Sequence, residues 1–213
     1  MTRGKLAVGK GRSAGHGSAA GVCGQSAMEG RKEEKDMERK GFTLWFTGLP
    51  SSGKSTLADD LAPKLRKMGM KVERLDGDVV RKTLTRDLGF SKEDRQKNLE
   101  RVTFVAKLLS RNGVAVLAAF VSPYNDIRHW IRQEHEGNFI LVFVKTPVEV
   151  CMERDPRGNY QKALAGKIKD FTGVDDPFEE PDDADIVVDT VRYDVEECNR
   201  QIVERLREMG WLK

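Results

Sequence analysis

No apolar run in this 213-residue chain reaches the ~18 residues that a membrane-spanning helix requires. Cysteine is scarce. Cys23, Cys151 and Cys198 are odd in number, far apart and without CxxC or Cys/His spacing. They offer neither a disulfide framework nor a zinc pattern, and they fit free thiols in a reducing compartment. Bulk charge of one sign is also missing from most of the chain. Residues 1–40 carry nine Lys/Arg against five Asp/Glu, and the remainder 28 against 29. The net +3 therefore belongs to the first segment, and the rest gives no electrostatic case for nucleic-acid binding. Any cationic cluster after residue 40 has to be local, as a phosphate site would be. An Asn-Lys-x-Asp motif for reading guanine is absent too.

Charged residues make up 33% and hydrophobic ones 38%, the composition of a soluble globular protein with one sizeable core. Residues 1–30 are of low complexity, with eight of the 20 glycines and no acidic residue before Glu29. Such a segment buries too little apolar surface to offset its ordering entropy. Residues 1–40 are thus expected to be a disordered, basic, Gly-rich extension, with residues 31–40 a charged, frayed helical lead-in. An apolar signal region is missing, so a cytoplasmic location is expected. The basic, Ser-containing composition leaves organellar targeting open, and a start at Met28 or Met37 is a separate alternative.

Residues 41–213 are expected to form the folded domain. Residues 43–47 (TLWFT), 71–75, 114–120 (VAVLAAF), 139–144 (FILVFV) and 186–188 are predicted as strands. Helices are predicted over residues 54–68 (kinked at Pro63), from an N-cap at Ser91 to about Ser110, and over residues 195–209. The third strand has no polar face, as in a parallel sheet covered on both sides. Strands alternating with helices predict an α/β fold, a doubly wound and mainly parallel five-stranded sheet with helices on both faces, of the P-loop kinase type.

Gly48-Leu49-Pro50-Ser51-Ser52-Gly53-Lys54-Ser55 matches GxxxxGK[ST] between a strand and a helix. The glycines let backbone N–H groups turn inward as an anion nest, and the helix N-terminus adds its dipole. Lys54 reaches the β- and γ-phosphates of ATP, and Ser55 is a ligand for Mg²⁺. Thr56 extends the ATP-binding set. Asp76-Gly77-Asp78 follows the second strand, where carboxyl ends face the ligand crevice. Its carboxylates suit magnesium positioning and proton acceptance from a hydroxyl. The same turn equally suits the capping of a helix over residues 79–84. Arg81 lies three residues beyond Asp78, and Arg95, Asn98 and Arg101 are spaced by three; a solvated helix face has that pattern as well. Val121-Ser122-Pro123-Tyr124 ends the third strand, at the crevice or as an ordinary turn. Lys162, Lys167, Lys169 and Phe171 precede the last strand, as a lid or as solvated surface.

DGDVVR, DLGFS, DRQKN, FVSPY and NYQKALAGKIKDFTGVDDPFEEP occur in that order. From Gly41 onward the chain resembles the adenylylsulfate kinases, which phosphorylate the 3′-hydroxyl of adenosine 5′-phosphosulfate (APS). The resemblance implies that Phe90 and Phe171 sandwich the adenine of APS. Arg81, Arg95 and Asn98 would hold its phosphosulfate and ribose, with Val121 and Ser122 at the strand end and Lys162 on the lid side. Asp78 would be the base near the 3′-hydroxyl, and Asp76 would lie nearer the metal's water shell. Ser122 matches a serine sometimes named as a phosphoserine intermediate in this family; direct transfer, with Ser122 as a contact, is the preferred expectation. The family pattern also implies a homodimer. Departures from that pattern are Val79, Asn125, the lid run Ala163-Leu164-Ala165-Gly166, and Glu100-Arg101. Two other readings remain at this stage, a kinase for another small alcohol and a nucleotide-binding domain without turnover.

Overall fold

A computed structural model describes residues 40–213, so what was expected of the preceding extension, Cys23 included, lies outside the described residues. Five strands are present: β1 (Phe42–Thr47), β2 (Lys71–Asp76), β3 (Val114–Ala119), β4 (Phe139–Lys145) and β5 (Ile186–Asp189). Their order is β2-β3-β1-β4-β5, and every neighbouring pair is parallel. The helices are α1 (Lys54–Lys67), α2 (Gly77–Lys82), α3 (Lys92–Ser110), α4 (Asn125–Glu134), α5 (Val148–Arg154), α6 (Asn159–Leu164) and α7 (Val195–Glu208).

The alternation of side chains along β1 explains the two-sided core. Phe42, Leu44 and Phe46 pack on one face with Leu57, Leu61 and Leu65 of α1 and Ile202 and Leu206 of α7. Trp45 points the other way, into a cluster with Leu99 and Val102 of α3 and Ile127 and Ile131 of α4. Every residue of β1 is fully buried. This is why the central strands read as unbroken apolar runs.

Local chemistry sets the helix boundaries. The Asp94 N–H donates to Ser91 Oγ at 3.1 Å, the N-cap expected for α3. The α1 helix continues across Pro63 to Lys67. The α2 helix starts earlier than the sequence suggested, because the Asp76 carboxylate accepts the Asp78 N–H at 3.0 Å and caps it. Helices α4, α5 and α6 were not assigned from sequence.

This strand order reverses direction at β1. The chain leaves β1 for β2 on one side, returns through β3, and crosses to β4 on the other. A crevice therefore opens beyond the carboxyl ends of β1 and β3. Thr47 Oγ1 donates to the Val121 carbonyl at 2.7 Å and ties these two exits together.

Gly41 fixes the entry into β1. A Cβ there would lie 2.2 Å from the Ser110 carbonyl oxygen and 2.6 Å from both Val114 N and Val114 O, all of them backbone atoms. We expect Gly41→Ala to destabilise the fold by at least about 1–3 kcal/mol through overpacking. A urea denaturation midpoint equal to that of the parent protein would contradict this.

Candidate active site

The loop after β1 is shaped by residues with left-handed backbone. Gly48 has φ 148°, Ser51 63° and Gly53 104°. A Cβ on Gly48 would also approach the Val144 carbonyl oxygen to 2.7 Å, so glycine is required there twice over. From behind, the Thr190 and Thr146 hydroxyls donate to the Ser52 carbonyl at 3.1 and 3.3 Å. Lys54, only 8% exposed, folds its ammonium back onto this loop. It donates to the carbonyls of Gly48 (3.0 Å) and Leu49 (2.6 Å) and to Ser52 Oγ (3.3 Å).

Ser55 and Asp76, paired from sequence as metal residues, do meet: Ser55 Oγ donates to Asp76 Oδ2 at 2.6 Å. A hydroxyl and a carboxylate side by side are hard oxygen donors of the kind that hold Mg²⁺ through one or two protein groups and several waters. The donor set fits that ion. Arg74 also faces Asp76 Oδ2, at 3.3 Å, and pairs with Asp59. Asp78 is the second residue of α2, and its Oδ2 accepts a hydrogen bond from Arg157 Nη1. Nothing in the sequence reading had singled out Arg157.

A cleft of about 1150 Å³ joins these groups, larger than one small-molecule site needs. Pro50, Ser51, Gly53, Ser55 and Thr56 line it on the phosphate side. Asp78, Arg81, Phe90, Arg95, Asn98, Val121, Ser122 and Phe171 line it on the acceptor side. Gly48, Leu49 and Ser52 do not line it. Lys162 does not line the cleft; its ammonium donates to the Arg157 carbonyl at 3.1 Å and so braces the loop that carries Arg157.

Each acceptor-side group is held by its neighbours. Phe90 is 57% exposed, with the Arg81 guanidinium 4.3 Å from its ring centre. Arg81 donates to the Gly89 carbonyl at 2.8 Å. Burial, and after it the Arg95 cation, push the Arg81 pKa below its ordinary value, with the Asp94 and Asp78 carboxylates opposing the shift. Arg95 donates to the Phe90 carbonyl (2.8 Å) and Thr172 Oγ1 (2.9 Å), linking α3 to the segment around Phe171. Phe171 is fixed by Asp175, which accepts its N–H at 2.6 Å, and by an edge-on contact with Tyr160. Asn98 is buried and accepts from Thr85 Oγ1 at 2.7 Å.

Ser122 occupies a different setting. It is 2% exposed, has φ 43°, and its hydroxyl accepts the Trp45 indole N–H at 2.9 Å. Its carbonyl accepts from the fully buried Arg128, which also donates to the Glu179 carbonyl at 2.6 Å. Arg128 thus clamps the strand-end turn to the end of the lid segment.

A family model for adenylylsulphate kinase matches residues 40–189. The "Probable adenylyl-sulfate kinase" of Pseudomonas aeruginosa is 56% identical over 175 residues, covering 82% of this chain and 81% of that one. The chain belongs to the adenylylsulfate kinase family. Among solved structures, the Mycobacterium tuberculosis APS kinase in complex with AMPPNP and APS aligns with a TM-score of 0.77 and 40% identity, over 79% of this chain and 99% of that one. A hexameric APS kinase from Thiobacillus denitrificans aligns with a TM-score of 0.65 and 34% identity, over 83% of this chain and 30% of that one.

For an adenylylsulfate kinase family member, the electrostatics of Lys54 carry a direct consequence. Burial lowers its pKa from 10.5 to about 8, with Cys151 and the carboxylates of Asp76 and Asp78 opposing the shift. A polyphosphate bound against the ammonium moves the pKa back up. Between these values the bound protein holds a proton that the free protein has lost. ATP affinity is therefore full below pH 8 and weakens as pH rises above it. Near pH 9 binding takes up protons. Calorimetry in two buffers of different ionisation enthalpy measures this uptake, and Lys54→Met abolishes it. No uptake in the parent protein at pH 9 would contradict the lowered pKa of the buried Lys54 ammonium.

Proposed function

We infer that the chain phosphorylates the ribose 3′-hydroxyl of APS with ATP, giving 3′-phosphoadenylyl sulfate and ADP, by direct in-line transfer. The observation that carries this is the meeting of three groups at one lip of the cleft. Ser55 and Asp76 form a 2.6 Å hydroxyl–carboxylate pair, and Asp78 stands in the same turn. Asp78 takes the proton of the 3′-hydroxyl, the 3′-oxygen bonds to the γ-phosphorus, and the bond to the β,γ-bridging oxygen breaks as ADP leaves. Lys54 and the loop N–H groups stabilise charge on the transferring group. Ser55 and Asp76 would hold Mg²⁺, which would supply neutralisation of phosphate charge when bound. Phe90 and Phe171 offer π-faces to adenine, while Arg81 and Arg95 offer guanidinium forks to the phosphosulfate. Family membership supports APS over another small alcohol as acceptor, and a coupled assay of ADP release across a panel of alcohols separates the two.

Ser122 is kept out of the transfer in this reading. A nucleophile needs an exposed hydroxyl beside a base. Ser122 instead is buried, with its oxygen directed to Trp45, and acts as a contact at the end of β3. We place the protein in the cytoplasm as a homodimer: the buried free thiols of Cys151 and Cys198 suit a reducing compartment, and the dimer follows the family pattern. No helix among the described residues is long and apolar enough to cross a membrane.

In single-turnover transfer, Asp78→Asn is expected to lower the rate by roughly 10²–10⁴-fold, with ATP affinity little changed. Ser122→Ala is expected to cost less than about tenfold. An inactive Ser122→Ala beside an active Asp78→Asn would reverse the mechanism.

A further inference from the structure

Arg95 is backed by a carboxylate that does not itself reach the cleft. Its Nη2 lies 4.0 Å from Asp176 Oδ2, and its Nη1 donates to Thr172 Oγ1 at 2.9 Å. The Thr172 hydroxyl in turn donates to Asp176 Oδ2 at 2.9 Å. The Tyr124 hydroxyl donates to the other oxygen, Oδ1, at 2.5 Å. Burial, and after it this carboxylate, push the Tyr124 pKa up to about 12, so the phenol stays a neutral donor. Asp176 is 13% exposed, and Arg95 and Thr172 stand between it and the cleft that they line. Its carboxylate is not needed to build the turn that carries it. Asp175 accepts the Asp170 and Phe171 N–H groups at 2.9 and 2.6 Å, and the Gly173 N–H donates to the Asp176 carbonyl at 2.8 Å. Nor is it needed to orient Arg95, which already donates to the Phe90 and Asp170 carbonyls and to Thr172. What Asp176 adds is negative charge behind a substrate-facing cation, and charge in that place acts on any ligand that Arg95 meets.

Given APS as the acceptor and Arg95 as a group that meets its phosphosulfate, we propose that Asp176 is a specificity-determining residue. It favours an acceptor whose end group is a singly charged sulfuryl group over one that ends in a doubly charged phosphoryl group. ADP differs from APS in that end group alone, which carries up to one more negative charge at neutral pH. ADP is also the product of the transfer, so it is always at hand to enter the acceptor side. The Arg81 and Arg95 guanidiniums attract the more highly charged end group more strongly. A carboxylate behind Arg95 offsets part of that attraction, and the offset is larger for the dianion. Selectivity then comes from a repulsive element and not from a further contact with the substrate.

Competition between the two acceptors in one reaction measures this. The full chain receives saturating γ-labelled ATP with Mg²⁺ and an equimolar mixture of APS and ADP, and label is counted in the two 3′-phosphorylated products. Their ratio is the ratio of kcat/KM for the two acceptors, whatever ADP does on the donor side. Asp176→Asn and Asp176→Ser, both uncharged, are expected to shift it toward ADP by roughly three- to tenfold, the effect of one charge on another across a side chain in a partly solvated site. Asp176→Glu, which keeps the charge, is expected to hold the parent ratio. Tyr124→Phe, which removes a hydrogen bond to Asp176 but no charge, is expected to hold it too. An unaltered ratio in the uncharged variants, or no label in the ADP-derived product from them, would overturn the proposal. A shift in Tyr124→Phe as large as theirs would overturn it as well, since packing and not charge would then set the ratio. Each of these results leaves the proposed function standing as long as the parent protein phosphorylates APS. No transfer to APS by the parent protein would remove that function, and the proposal with it.

Discussion

A lysine ammonium folded against its own phosphate loop, away from water, is the constraint around which the rest of the molecule is arranged. Lys54 satisfies its donors with the Gly48 and Leu49 carbonyls and the Ser52 hydroxyl, yet burial still lowers its pKa. Carbonyls satisfy the hydrogen bonds without supplying the missing negative charge. The loop can hold the cation so only because its glycines adopt backbone angles that bring carbonyls inward on one side and N–H groups on the other. Those angles in turn require a rigid strand at the loop's entrance. β1, buried on both faces and paired on both edges, is that strand. The core thus serves the site by fixing where an incompletely compensated charge waits for an anion.

The acceptor side follows the same economy of charge. Residues 41–213 have almost no net charge, so an anionic nucleotide is not attracted by bulk potential. Cations are instead placed singly and oriented largely by backbone carbonyls and neutral side chains. Arg81 is braced by the Gly89 carbonyl and the Phe90 ring, and Arg95 by the Phe90 carbonyl and Thr172. Backbone partners orient a guanidinium without neutralising it, which leaves its charge available to a ligand. Two of these guanidiniums also face carboxylates, Arg95 at 4.0 Å from Asp176 Oδ2 and Arg157 on Asp78.

Contiguous features were legible from the sequence. The phosphate loop is one run of eight residues with a strand before and a helix after, so its chemistry and its position coincide. The Ser91 cap and the apolar central strands were legible for the same reason, since a local pattern fixes each. Asp76 and Asp78 were recognised as a pair, but their duties overlap in a way the spacing does not reveal: Asp76 caps α2, meets Ser55 and faces Arg74 at once. Arg157 was missed because its partner is 79 residues away and only the fold brings them together. The Asp155-Pro156-Arg157-Gly158 turn was the available signal, an arginine in a tight turn just before a helix. Lys162, chosen on resemblance, lies one step back from the cleft and supports Arg157. The α4 helix was hidden because its burial depends on Ile127, Ile131 and a buried Arg128 clamping distant backbone, and no window of sequence displays that clamp.

The central claim is that the phosphoryl group passes once, from ATP to the 3′-oxygen, with Asp78 taking the proton and no enzyme-bound phosphate between. The stereochemical course at phosphorus tests it most directly. With ATP made chiral at the γ-phosphorus by oxygen isotopes and sulfur, a single in-line displacement inverts the configuration in the product, and inversion is what this account predicts. Retention would mean two successive displacements and a covalent intermediate on the protein, and would contradict it.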